Sequence, residues 1–403
     1  MATSAIPTEI GAALDAKRRP PEAVLDHIEP GADLIVGLAN AEPMSVLDAI
    51  EAASSALDSV QVHQMFPLRE RRYMHGEHAE LHHVSWFLSP VLRDAFHKGT
   101  CSLVPNHFSE VPDLLRSATK RSLALAAASP PDRHGYFSLG CHAEYVAALI
   151  GDVPFFLEAN PRMPRTFGEN QVHVSDVVGW CEADYPLIEL PDHPVGDRDV
   201  RIAELGVHTE LLADGFVDLV EAGAITGTRK QTHRNKIITT SALGKQRLYD
   251  FVADNPGVEF WPVSYTNDPR NIGREDNMRA INASLEVDFL GQCASESLGS
   301  EYWSSSGGQP DFARGVLFAE NGASFIVLHS TTTDESTSRI VSQLHPGAAV
   351  TSHKNVVDHV VTEYGVAELR GRPIGERARE LIRIAHPKFR DELQRAGREL
   401  GFI

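Results

Sequence analysis

Asp33–Ile50 reads DLIVGLANAEPMSVLDAI, and the order of residue types in it decides the fold class. Leu34, Ile35, Val36 and Leu38 form a short apolar run, the signature of a strand covered on both faces. Ala39–Glu42 is a turn. Pro43 then opens a helix through Val46, Leu47 and Ile50, at a position where a fixed φ and a missing N–H cost nothing. Similar short runs follow at Phe155–Leu157, Val258–Val263, Ser324–Leu328 and His359–Thr362. Buried strands alternating with amphipathic helices predict an α/β chain built on parallel sheets.

The 403 residues exceed what one core usually supports. Pro186, Pro191 and Pro194 crowd the acidic stretch Tyr185–Asp199 (YPLIELPDHPVGDRD), which reads as a linker between domains at 1–190 and 200–403. A site is expected in the cleft between them, at the carboxyl ends of strands. Met1–Ala16 lacks a basic segment followed by an apolar stretch, and no apolar run approaches the ~20 residues of a membrane helix. The expectation is a soluble, cytoplasmic protein. Cys101, Cys141, Cys181 and Cys293 stand singly, so they are expected to be reduced and mostly buried.

A net charge of −18 excludes a non-specific nucleic-acid binder. Thr226–Lys236 (TGTRKQTHRNK) concentrates Arg229, Lys230, Arg234 and Lys236, either as a patch for a polyanionic ligand or as a solvated loop. His75, His78, His82 and His83 have spacings that suggest a metal site. No nearby acid or cysteine completes a ligand set, so the reading is a surface or interface helix and no metal.

The densest polar and glycine-rich punctuation lies in Ile281–Gln292 (INASLEVDFLGQ), Tyr302–Arg314 (YWSSSGGQPDFAR) and Val360–Gly371 (VVTEYGVAELRG). Glu286 and Asp288 flank Val287 in strand alternation, which points both carboxylates to one face. Taken alone, such an acid is also compatible with an ordinary edge strand. Gly307-Gly308 can bring backbone N–H groups close to a ligand, as oxyanion and phosphate sites require, or can be a plain turn.

Together these stretches resemble the acetyl-CoA hydrolase/transferase family, which includes 4-hydroxybutyrate, butyrate and acetate CoA-transferases. The likeness begins at Ile35–Pro43, runs through VPNHFSEVP (Val104–Pro112), SPPDRHGYFSLG (Ser129–Gly140) and Asn160–Ser175, and covers nearly all of Leu205–Phe389. YTNDP (Tyr265–Pro269), INASLEVD, GGQPDF, Ser338-Arg339-Ile340, VTEYGVAELRG and Ala385-His386-Pro387 are its most distinctive parts.

The resemblance implies two related open α/β domains of the CoA-transferase (NagB/RpiA-like) type, with Glu286 as catalytic carboxylate and Asp288 structural. It also implies that Trp261, Pro262, Val263, Ser264, Tyr265, Gly308 and Gly365 lie along coenzyme A and help form the oxyanion site. Coenzyme A would be a substrate and no cofactor tightly bound. The partners would be an acyl-CoA, a short-chain carboxylate and a second copy of the chain. Glu286 would pass through an acyl-glutamyl anhydride and a glutamyl–CoA thioester, helped by oxyanion donors worth roughly 2.7–4 kcal/mol each. His107, His134 and His173 lie in family-like stretches without an assigned role.

One departure stands out. Relatives carry a strand, a Gly-Ile-Gly-like loop and a helix before LGVHTE. Here Asp197–Glu204 (DRDVRIAE) runs directly into Leu205. The second domain is therefore expected to lack one strand–loop–helix unit of about 30 residues. That loss motivates two alternatives to an active transferase: a thioester hydrolase on the same site, and a catalytically silent subunit.

Overall fold

The computed structural model describes residues 6–120, 122–191 and 204–403. They form two compact units, one from the described residues of Met1–Val104 and Ser109–Thr266, the other from Pro105–Phe108 and Asn267–Ile403.

The first unit is built on a seven-stranded sheet. Its strands are β1 (Asp33–Val36), β2 (Val60–Met65), β3 (Leu81–Phe87), β4 (Cys101–Leu103), β5 (Ser122–Ala128), β6 (Phe155–Ala159) and, beyond a short strand β7 (Phe167–Gly168), β8 (Val177–Glu182). The order is β8-β6-β5-β1-β2-β3-β4, and each neighbouring pair is parallel. β1 and β6 are buried along their whole length, as expected of strands with both faces covered.

Helix α1 (Met44–Ala52) follows with Pro43 just before it. A helix start leaves N–H groups without intrahelical acceptors. Here the carboxylate of Glu158, on β6, takes those of Met44, Ser45 and Val46 at 2.8, 2.7 and 3.3 Å. A negative charge at that end is also favoured by the helix dipole. The turn after β1 is thus filled from within.

The first unit runs past the proline-rich stretch expected to separate domains, of which residues 192–199 lie outside the described residues. β9 (His208–Leu212), β10 (Ile237–Ala242) and β11 (Val258–Phe260) form a second parallel sheet in the order β9-β10-β11-β7. β7 belongs to the N-terminal stretch, so its pairing with β11 ties residues on both sides of the linker into one sheet. Gly168 makes that possible: at φ +119° a Cβ would lie 2.2 Å from the Phe260 carbonyl oxygen. Val258–Val263 is a strand only to Phe260, because a helical turn begins at Val263.

The histidine group is not on a helix. His75 ends a 3₁₀ turn, whereas His82 and His83 alternate outward and inward on β3. His82 is exposed, while His83 is fully buried, and burial pushes its pKa down to about 3. Val84, Trp86 and Phe87, which suit a pleated surface, favour the strand.

In the second unit, β12 (Arg279–Ala283), β13 (Glu286–Asp288), β14 (Cys293–Ala294), β15 (Ala323–Val327), β16 (Ile340–Val341), β17 (His359–Thr362) and β18 (Gly365–Glu368) make two sheets. One is β12-β15-β17-β18 and the other β14-β13-β16. Their core gathers Val287, Phe289, Ile326, Ile340, Val360, Leu369, Leu381 and Ile384.

Two sheet ends bear on the expected deletion. In the seven-stranded sheet β1 has β2 on one side and β5 on the other. β9 and β12 are each the end strand of their own sheet.

Candidate active site

β13 is the middle strand of its sheet, so the edge-strand alternative for Glu286 does not hold. Val287 pairs with Cys293 on one side and Ile340 on the other. Alternation places Val287 in the apolar core and Glu286 and Asp288 off it, both buried. The two acids then part company. Asp288 accepts the N–H groups of Leu290 and Gln292 at 3.0 and 2.9 Å and the Gln292 side-chain amide at 2.8 Å, closing the turn into β14. Desolvation raises its pKa from the ordinary carboxylate value, against these bonds. With its lone pairs committed to a turn, Asp288 is a structural group.

Among the described residues, Glu286 is held through His345. Its Oε1 accepts the main-chain N–H of His345 at 3.0 Å, and its Oε2 lies 2.5 Å from His345 Nδ1. The Glu286 side chain is 2% exposed and that of His345 50%, so the contact joins a buried carboxylate to a half-exposed imidazole. His345-Pro346-Gly347-Ala348 is a tight turn: the Ala348 N–H donates to the His345 carbonyl at 2.9 Å, and Gly347 has φ +88°. Proline second and a positive-φ glycine third define a type II turn. His345 is a site residue that the motifs do not reveal. The Pro-Gly pair marks the turn, but nothing in the pattern pairs it with Glu286, 59 positions away.

Gly308 is buried and caps α2 (Gln309–Gly315), with φ −91° and the Phe312 N–H donating to its carbonyl at 3.0 Å. Gln309 reaches Ser352 Oγ at 3.2 Å, and the Ser352 carbonyl accepts the Cys293 N–H at 2.9 Å. Gly308 is therefore tied to the sheet that carries Glu286. Gly365, at φ +134°, begins β18 after the two-residue turn Glu363-Tyr364. Glu363 holds Ser330 Oγ at 2.5 Å, the Ser330 carbonyl accepts the Arg339 N–H at 2.9 Å, and the Arg339 carbonyl accepts the Val287 N–H at 2.9 Å.

Trp261, Pro262, Val263, Ser264 and Tyr265 belong to the first unit, where they leave the carboxyl end of β11. Ligands of open α/β sheets bind at such ends. Trp261 and Tyr265 pack with ring centroids 4.5 Å apart, and His233 bonds the Tyr265 hydroxyl at 2.7 Å. Beneath them the Val263 N–H donates to the carbonyl of Glu144 at 2.8 Å. The Glu144 carboxyl, fully buried, accepts the Leu38 N–H at 2.7 Å, and desolvation lifts its pKa well above the ordinary value.

The basic stretch is largely consumed internally. Lys230 is buried and donates to the carbonyls of Val207 and Lys236 at 2.9 and 3.2 Å. Arg229 pairs with Glu204, Arg234 donates to the Thr228 carbonyl, and Lys236 pairs with Glu259 at 3.3 Å. His134 accepts a hydrogen bond from Arg133 and His173 bonds Ser175, both at the surface. All four cysteines are free and buried, with burial raising the Cys101 thiol to about 11. A cavity of about 640 Å³ lies elsewhere on the first unit, between Leu14, Arg18, Pro130, Pro161 and Trp180, and none of the expected site residues lines it. Among the described residues no helix is long and apolar enough to cross a membrane.

Several parallel sheets with helices between their strands define a mixed α/β protein of the kind seen in CoA-transferases. Comparison with known proteins makes the assignment specific. Residues 15–189 match the acetyl-CoA hydrolase/transferase N-terminal domain and residues 244–397 the C-terminal domain. The chain belongs to the acetyl-CoA hydrolase/transferase family. It is 40% identical to the succinyl-CoA:cyclohexane-1-carboxylate CoA transferase of Geobacter metallireducens, covering 93% of this chain and 94% of that one. The crystal structure of RipA from Yersinia pestis superposes with a TM-score of 0.90 at 30% identity, over 98% of this chain and 100% of the other. The 4-hydroxybutyrate CoA-transferase of Porphyromonas gingivalis gives 0.82 at 30% identity, over 97% and 99%. The alignment with the Geobacter relative spans 409 positions, more than the 403 residues here, so that relative carries residues with no counterpart in this chain.

Proposed function

We propose that this chain is an acyl-CoA:carboxylate CoA-transferase in which Glu286 is the nucleophile. The observation that carries the reading is the contrast on β13: Asp288 is spent on a turn, whereas Glu286 is pinned off the core by donors from one loop residue. The Glu286 carboxylate attacks the thioester carbonyl carbon, coenzyme A leaves as thiolate, and an acyl-glutamyl anhydride forms. The thiolate then attacks the glutamyl carbonyl carbon, releases the first carboxylate and leaves a glutamyl–CoA thioester. A second carboxylate runs the sequence backwards. Carboxylate attack on a thioester is uphill, so the site must supply oxyanion donors and binding energy from the remote parts of coenzyme A. Trp261–Tyr265, Gly308 and Gly365 are assigned to that task. We take the working form to be a cytoplasmic homodimer that binds acyl-CoA and a short-chain carboxylate and holds no cofactor tightly.

Borohydride trapping and mass spectrometry after incubation with an acyl-CoA test this reading. A modified Glu286 and complete loss of transfer in Glu286→Ala are expected, with most activity lost in Glu286→Asp, whose carboxylate is one methylene shorter. Turnover in the alanine variant overturns the mechanism. Coenzyme A binding without an adduct makes the chain a silent subunit. Acyl-CoA loss that does not need an acceptor acid makes it a hydrolase.

A further inference from the structure

We propose that His345 is the positioning and gating residue of Glu286, an inference that rests on the nucleophile reading above. The two donors from His345 differ in how they are held. Its N–H belongs to the type II turn, where Pro346 fixes φ and the Ala348 N–H closes the ring at 2.9 Å. The turn is seated further by the Ala349 N–H on the buried Ser297 hydroxyl at 2.8 Å. It also lies close to the Gly299-Ser300 turn, since a Cβ on Gly299 would lie 3.2 Å from the Pro346 carbonyl oxygen. The imidazole is half exposed and swings on side-chain torsions, without any change to that backbone.

A thioester reaches Oε2 only when the imidazole moves aside, while Oε1 stays on the His345 N–H. This assigns the oxygens. Oε2 attacks and becomes the bridging atom of the anhydride, and Oε1 becomes the glutamyl carbonyl oxygen. When the thiolate adds to that carbonyl carbon, negative charge develops on Oε1, in front of a donor already in place. The returning imidazole covers the glutamyl–CoA thioester from solvent. Without it, water adds to the glutamyl carbonyl carbon, the C–S bond breaks, coenzyme A leaves with one of the water's protons as the thiol, the other proton passes to solvent, and the Glu286 carboxylate is regenerated. The transferase then leaks as a hydrolase.

The test uses the full chain and short acyl-CoAs, with and without an acceptor acid. His345→Ala is expected to keep its melting temperature and Glu286 adduct while the ratio of hydrolysis to transfer rises about tenfold, the scale of one lost hydrogen bond to a charged group. His345→Asn, whose amide can occupy the place of Nδ1, is expected to restore most of the wild-type ratio. If the alanine variant melts early, the asparagine variant is set against His345→Gln, and a higher ratio in the glutamine variant alone supports the gate. An unchanged ratio in His345→Ala, with Glu286→Gln inactive, overturns the gate and spares the nucleophile. Activity in Glu286→Gln removes the reading beneath both.

Discussion

Glu286 and Asp288 stand two residues apart on one short strand, with the same chemistry and opposite surroundings. Their neighbours in space make the difference: a tight turn offers Asp288 three donors, and a distant loop offers Glu286 two from one residue. At a third acid, Glu144, burial outweighs the Leu38 hydrogen bond that opposes it. Desolvation raises its pKa well above the ordinary 4.5, so the folded chain keeps a proton that the unfolded chain has already lost. The stabilisation linked to this proton is complete below the unfolded value and is lost as pH rises through the folded one. Glu144→Gln is therefore expected to gain on the wild type in melting temperature as pH goes from about 5 to about 8. Parallel melting curves across that range would show that Glu144 ionises normally.

At the scale of elements, β1, its turn and α1 follow the pattern read at Asp33–Ile50, because apolar runs, proline and turn residues act locally. Glu158 could not be found that way. It lies over a hundred positions from Met44, and only the β6–β5–β1 pairing brings it to the start of α1. Replacing Glu158 with Ala removes the acceptor for three main-chain donors. A loss of about 1–3 kcal/mol is expected from urea denaturation, the usual range for buried groups left unsatisfied. Glu158→Gln, which keeps one carbonyl oxygen, should recover part of it. The histidines around β3 show the opposite failure, where a surface or interface helix is expected and β-branched and aromatic neighbours with sheet pairing decide for a strand.

For the whole molecule, the Geobacter relative, with residues that have no counterpart in this chain, bears on the expectation that the second half lacks one strand–loop–helix unit. Leu211 on β9, an end strand of its sheet, is 43% exposed. Inserting a strand–loop–helix unit after Glu204 is expected to raise the melting temperature by about 2–4 °C for each kcal/mol the new strand contributes. An unchanged melting temperature would mean that the place is already filled.

The amino-acid sequence by itself determined the α/β class, the buried strands, the family-like motifs and the carboxylate at position 286. These rest on local periodicity, turn chemistry and contiguous residues, which are present before any chain contact forms. Only tertiary structure decided that Glu286 meets His345, that Glu158 caps α1 and that β7 joins β11. Each of these unites residues far apart in the chain, and the geometry of a hydrogen bond between such residues exists only once the sheets between them have paired.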